Sequence, residues 1–177
     1  MFFKKRKENM WLNMAAGAMG GLLGSWTMNR FQSGLAKLES AGKPPEQISQ
    51  AQEGQASEEP ATVKAGERIS EAVTGRALTT EEKKVAEPLV HYAFGALVGA
   101  FYGALASRKR LATAGMGACY GAGVWLLADE IGVPATGLSK GPRQAPLKKH
   151  LEALAAHLVY GVTTESVRRL AIARKAA

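Results

Sequence analysis

Five ionisable side chains stand within or at the edges of stretches otherwise rich in Ala, Gly, Leu and Val: His91, Asp129, Glu130, His157 and Glu165. Charge at membrane depth is costly, so these residues are functional candidates wherever such a stretch crosses a bilayer. Histidine titrates near neutrality, and a neighbouring carboxylate can exchange its proton. A histidine–carboxylate group can therefore serve as a proton relay, a pH sensor or a metal site, or it can join helices by hydrogen bonds. On a helix His157, Gly161 and Glu165 share a face, and Arg169 follows Glu165 at ion-pair spacing. The ligand types lie on separate segments, which gives no spaced metal motif, so neither a metal nor a cofactor is assigned.

Enzyme motifs are missing. The sequence holds no P-loop, no dinucleotide fingerprint, no HExxH, no paired CxxC and no Gly-x-Ser-x-Gly. The expectation is a protein that is not an enzyme. Its single cysteine, Cys119, lies in an apolar segment and reads as a small core residue.

The elements that must hold the ionisable residues are glycine-rich apolar helices. In residues 91–107, HYAFGALVGAFYGALAS, Gly95, Gly99 and Gly103 recur every fourth residue and leave a groove without side chains. Phe94, Val98, Phe101 and Leu105 take the other side. Such a pattern suits lipid, where close backbone approach replaces the hydrophobic driving force. Residues 10–28 repeat it with Gly17, Gly20, Gly21 and Gly24, and carry Trp11 and Trp26 near their ends as interfacial aromatics do. About 19 residues rise about 28 Å, close to the hydrocarbon thickness. This first stretch reads as an uncleaved anchor, since no small-residue cleavage site follows it. A third span, about residues 111–133, continues the packing row through Thr113, Gly117 and Gly121, with Gly132 and Pro134 as its stop. The last, about residues 150–170, carries Gly161 but is interrupted by Glu152, His157 and Glu165.

Between the first two spans the chain is polar. Residues 29–61, with Pro44, Pro45 and Pro60, read as a tether. Residues 62–74 set Val63, Ile69, Ala72 and Val73 against Lys64, Glu67, Arg68 and Glu71, an amphipathic helix closed by Gly75. Thr79 and Glu82 spell a capping box, and Pro88 invites a kink before the second span. The organisation is thus residues 1–28 as basic terminus and anchor, 29–61 as tether, 62–87 as surface helices, and 88–177 as a three-helix membrane block.

Net charge is +8, yet residues 29–87 carry eight basic against ten acidic side chains. The excess sits in Lys4–Lys7, in Arg108, Lys109 and Arg110, and in Arg168, Arg169, Arg174 and Lys175. These clusters punctuate apolar spans instead of lining one face, which argues against nucleic acid and for the positive-inside pattern. The expectation is four spans with both termini cytoplasmic. Lys140, Arg143, Lys148 and Lys149, in the opposite loop, oppose it but are fewer.

The C-terminal half resembles a known family. Gly137-Leu138, Pro146-Leu147 and HLVYGVTTESVRR at residues 157–169 are similar to the YagU-like family of bacterial inner-membrane proteins. That resemblance implies a multi-pass inner-membrane protein and brings no established activity. The fold expected is all-α, with about four transmembrane helices packed through Gly/Ala faces: Gly17, Gly21, Gly24, Gly95, Gly99, Gly103, Gly117, Gly121 and Gly161. The function expected is a small structural or accessory subunit in the lipid bilayer, packing with a partner protein or with itself through those faces. The alternative is proton or ion handling by the polar cluster.

Overall fold

A row of glycines can be buried only against a backbone that comes equally close, and α1 (Met10–Ser40) offers one to α3 (Thr80–Ala106). A Cβ on Gly99 would stand 2.8 Å from the Gly21 Cα, and one on Gly103 would strike the Asn13 carbonyl. The glycines of α1 on the other side, Gly20 and Gly24, meet Thr164 and Tyr160 of α5 (Leu147–Arg174). α1 is therefore the central helix, held between α3 and α5. This computed structural model describes residues 9–44, 46, 47, 49, 59–139, 141 and 144–174. The Lys4–Lys7 cluster, tether residues 50–58, Lys140, Arg143 and Lys175 lie outside the described residues.

Local sequence explains most of the boundaries. Asn9 caps α1 by accepting from the backbone N–H of Trp11 at 3.1 Å. α2 (Ala61–Thr74) ends at Gly75, whose φ of 74° closes the helix in the left-handed conformation. Thr79 and Glu82 form the expected capping box, each side chain bonded to the other's backbone N–H. α3 carries Pro88 within its length. α2 lies on α3, where Gly66 admits the Ala86 methyl and Lys83 reaches Glu67 at 2.6 Å.

Two boundaries differ from the sequence reading. α1 does not stop at Met28 but runs on to Ser40, taking twelve residues from the expected tether. Residues 29–40 contain no proline, and Phe31, Leu35 and Glu39 line one groove with Leu147 and Leu151 at the start of α5. Lys148 closes on Glu39 at 2.6 Å, so this polar helix is held by its neighbour. The third apolar stretch is also not one regular helix. A 3-10 turn from Arg110 breaks at Ala114, which is extended, and at Gly115, Met116 and Gly117, all left-handed. The α-helix starts only at Ala118, passes through a π-helical stretch at Trp125–Gly132, and ends in one turn at Val133–Ala135. We label this composite, residues 118–135, α4. Thr113 lies before the break, so it does not extend the helical row of Gly117 and Gly121. Pro134 sits in the last turn and does not stop the helix before it.

Polar side chains share the interior with apolar ones such as Ala16, Met28, Tyr102 and Ala156, while many large apolar side chains stand outside. Among the described residues the fully buried side chains include Asn13, Ser25, Thr164 and Glu165, with His157 and Arg168 nearly so. Outside stand Leu97 at 70 % exposure, Phe101 at 64 % and Leu127 at 67 %, with Trp11, Trp26 and Phe94. The described residues form helices and no strand. Among the described residues one helix, Thr80–Ala106, is long and apolar enough to cross a membrane. Glycine lowers the hydropathy of α1, the left-handed break shortens α4, and ionisable residues interrupt α5.

Candidate functional site

At the end of the bundle capped by α2, the five helices separate around a cavity of about 900 Å³. Its walls are mostly apolar, with Met28, Phe94, Val98 and Val124 among them, and Tyr160 beside them. α3 contributes His91, α4 contributes Asp129 and α5 contributes His157. Three of the five ionisable residues singled out in the sequence thus meet in one place. α2 closes part of the rim: Lys64 donates to the Leu138 carbonyl at 3.1 Å, and Arg68 donates to the Thr136 carbonyl.

The hydrogen bonds fix how the histidines present themselves. His157 Nδ1 lies 2.9 Å from the Ala153 carbonyl, an acceptor only, so Nδ1 carries a proton. In the neutral ring Nε2 then holds a lone pair, and it faces Asp129 Oδ2 at 3.7 Å. The ring nitrogen and the carboxylate oxygen face each other across that gap. His91 is bonded to the backbone of Ser25, while its Nε2 is buried without a hydrogen-bond partner. Two imidazoles therefore stand at this cavity, one paired with a carboxylate and one with an unused ring nitrogen.

Glu130 and Glu165 do not join them. Glu130 is next to Asp129 in sequence and so points to another side of the helix, where it meets His150 at 2.7 Å. Glu165 is eight residues beyond His157, about 12 Å along α5. It lies at the opposite end of the bundle. There it accepts from Tyr102 at 2.9 Å, from Arg168 at 2.7 and 3.0 Å, and from Arg169 at 2.5 Å. Arg168 continues the chain to Asn13 Oδ1 at 2.6 Å. This buried group ties α1, α3 and α5 together with its charges paired and hydrogen-bonded, as burial requires. The Glu165–Arg169 spacing was legible in the sequence. Asn13, Tyr102 and Arg168 were not, although Asn13 was a polar residue in an apolar run.

The glycine faces are used within the chain. Gly17 and Gly21 meet Gly95, Gly99 and Gly103, Gly24 meets Tyr160, and Gly117 and Gly121 meet Gly161 and His157. Bare glycine carbonyls also accept hydroxyls across these contacts: Tyr160 donates to Gly95 at 2.7 Å and Thr164 to Gly20 at 3.4 Å. Of the glycines in the apolar stretches, Gly123 alone has open space where a Cβ would stand. Among the described residues no three His, Cys, Asp or Glu side chains gather as a metal ion would need.

A family model described as "Protein of unknown function (DUF1440)" matches residues 67–166, which include the three residues of the cavity and most of the helices around it, though not α1. No curated protein and no solved structure matches the chain.

Proposed function

From the premise that the chain belongs to the family described as protein of unknown function (DUF1440), we propose a four-span membrane protein that handles protons or small cations in the cavity at its α2 end. The observation that carries this reading is the His157–Asp129 pair, 3.7 Å apart at the wall of an about 900 Å³ cavity, with His91 beside it. Polar groups converging on a cavity are what proton or ion handling needs, whereas glue between helices needs only contact. The residues act as follows: His157 and Asp129 hold one proton between them, and His91 offers a second acceptor.

The four-span arrangement is supported by the buried polar and exposed large apolar side chains and by the ends of the helices. Arg108, just after α3, reaches Met10, and Arg168 of α5 reaches Asn13, so two basic groups meet the start of α1 at one end of the bundle. That end is cytoplasmic by the positive-inside rule, which places the cavity toward the outer leaflet of a bacterial inner membrane. The YagU-like resemblance agrees with that membrane. A periplasm-active reporter inserted after Gly75 should give signal, and one after Lys109 should not. The opposite pattern inverts the cavity's exposure, and signal at both sites removes the four-span reading.

The accessory-subunit reading stays second. It expected glycine faces left open for a partner, and nine glycines are occupied inside the chain. What favours it is the α4 face with Gly123, Cys119, Leu126 and Leu127, where a glycine has no neighbour and the leucines are exposed. The deciding measurement is the pH dependence of stability in detergent for the parent and for His157→Gln, which keeps hydrogen bonding but loses the titration. Sensitivity between pH 5.5 and 7.5 that vanishes in the variant supports proton handling. Identical profiles overturn it.

A further inference from the structure

We propose that the cavity binds a lipophilic primary amine in its protonated form, with the ammonium seated between Asp129, Glu87 and His91. The inference rests on the reading of the cavity as a cation site and adds the chemical class of its occupant. Size comes first. A cavity of about 900 Å³ is near the upper end of small-ligand pockets, far more room than a bare proton or a hydrated inorganic ion uses. The apolar walls, including Met28, Val90, Phe94, Val98 and Val124, would hold a hydrocarbon or aromatic body and would desolvate an inorganic cation without compensation.

Charge comes second. The charged residues that line the cavity are Glu87 and Asp129, and both are acidic. Glu87 has no ion-pair partner among the described residues, and the Asp129 side chain is 42 % exposed. Of the facing elements only α5 offsets them, through the one proton that His157 shares with Asp129. α1 contributes Ser25, Asn29 and Gln32, none of them charged, and α5 contributes His157 and the Tyr160 hydroxyl. The basic side chains of α2, Lys64 and Arg68, are committed to the carbonyls of Leu138 and Thr136. An anion would meet two carboxylates with no cation to receive it.

Donor and acceptor matching comes third and selects among cations. An ammonium carries three N–H donors, and three acceptors at the cavity match them: the Glu87 carboxylate, the Asp129 carboxylate and the partnerless His91 Nε2. A quaternary ammonium would leave that nitrogen unsatisfied. Phe94 and Tyr160 stand in the same wall, and an aromatic face adds attraction for a desolvated cation.

The test uses purified full-length protein in lipid nanodiscs, titrated with dansylcadaverine, a fluorescent lipophilic primary amine. Its N-acetyl derivative keeps the body and loses the charge, and empty nanodiscs are the blank. The parent should show saturable binding of the amine, with the acetylated probe about tenfold weaker or more, the factor of one charge-assisted hydrogen bond. Asp129→Asn and Glu87→Gln should each weaken the amine by about that factor. Glu87 is exposed at the rim, so its variant remains informative should Asp129→Asn fold poorly. Equal binding of both probes, or no saturable binding by folded parent, overturns the inference. The pH comparison of the parent with His157→Gln needs no ligand. Loss of amine binding with that pH response intact therefore sinks the amine alone, and loss of the pH response sinks the reading beneath it.

Discussion

Substituting alanine at Gly99 and at Gly123 makes the same chemical change on two helices, and the two should move stability in opposite directions. At Gly99 the new methyl carbon would stand 2.8 Å from the Gly21 Cα and 2.9 Å from the Gly21 nitrogen, both backbone atoms that no rotamer change can move. Carbon atoms rest at about 3.5–4.0 Å, so α1 and α3 must part by about 1 Å, enough to forfeit a quarter or more of each contact's attraction. The loss spreads along the row, because Gly17, Gly95 and Gly103 lie in the same interface. Overpacking of this kind costs about 1–3 kcal/mol, and alanine returns about 0.5–1 kcal/mol of helix propensity. The net expectation for Gly99→Ala is about 0.5–2 kcal/mol of destabilisation. At Gly123 no atom lies within 4 Å of the added carbon, so only the propensity gain remains. Gly123→Ala should therefore stabilise by about 0.5–1 kcal/mol. Equilibrium unfolding in mixed dodecyl maltoside and SDS micelles, followed by far-UV circular dichroism, reads both. If Gly99→Ala matches or exceeds the parent, α1 and α3 do not meet where their glycines coincide, and the central packing described above is wrong.

Three further outcomes follow from the same geometry. His157→Leu should cost about 0.6–2 kcal/mol through its lost hydrogen bonds, measured by the same titration, whereas His157→Gln should stay near the parent; equal losses would mean that shape alone matters at this position. Glu165→Gln leaves Arg168 buried without its carboxylate and should cost about 3–5 kcal/mol; a change below about 1 kcal/mol would show the group to be solvated. The Glu39 carboxyl is held below the usual carboxylate range, first by its hydrogen bond from Lys148. A depressed folded value contributes stability that is full above the ordinary value of 4.5 and is lost as pH falls through the lowered folded value, so hydrogen-exchange protection factors of residues 31–40, corrected for intrinsic exchange, should fall on acidification below 4.5. Lys148→Met should abolish that acid step, and an unchanged step would assign it to another carboxylate.

The sequence was most readable where a residue's role is set by its own helix. Glycine every fourth residue announced a close helix contact without naming its partner, and Thr79 with Glu82 announced the start of α3, because both signals are local. Of the five ionisable residues singled out, His91, Asp129 and His157 line one cavity, whereas Glu130 and Glu165 turn to other partners, which their spacing did not distinguish. What escaped depends on partners far along the chain. Arg168 precedes the residue whose i+4 spacing points to Glu165, and its second partner, Asn13, is 155 residues away. The helical course of residues 29–40 depends on α5, not on apolar content. The break at Ala114–Gly117 includes a left-handed Met116, and a non-glycine residue in that conformation leaves no pattern in a sequence.

The burial of Asn13, Glu165 and Arg168 bears on how such a chain enters a bilayer at all. Each helix meets the lipid before its neighbours are in place, and a lone segment carrying an arginine or a glutamate at membrane depth is expensive to insert. α3 has the apolar length to go in unaided. α1 presents Asn13 and α5 presents Glu165 with Arg168, so neither reaches its final depth cheaply until the other is beside it. On the four-span proposal, integration and folding are then one event. On that proposal α1 and α5 wait for each other, while the apolar α3 between them holds the chain at the membrane.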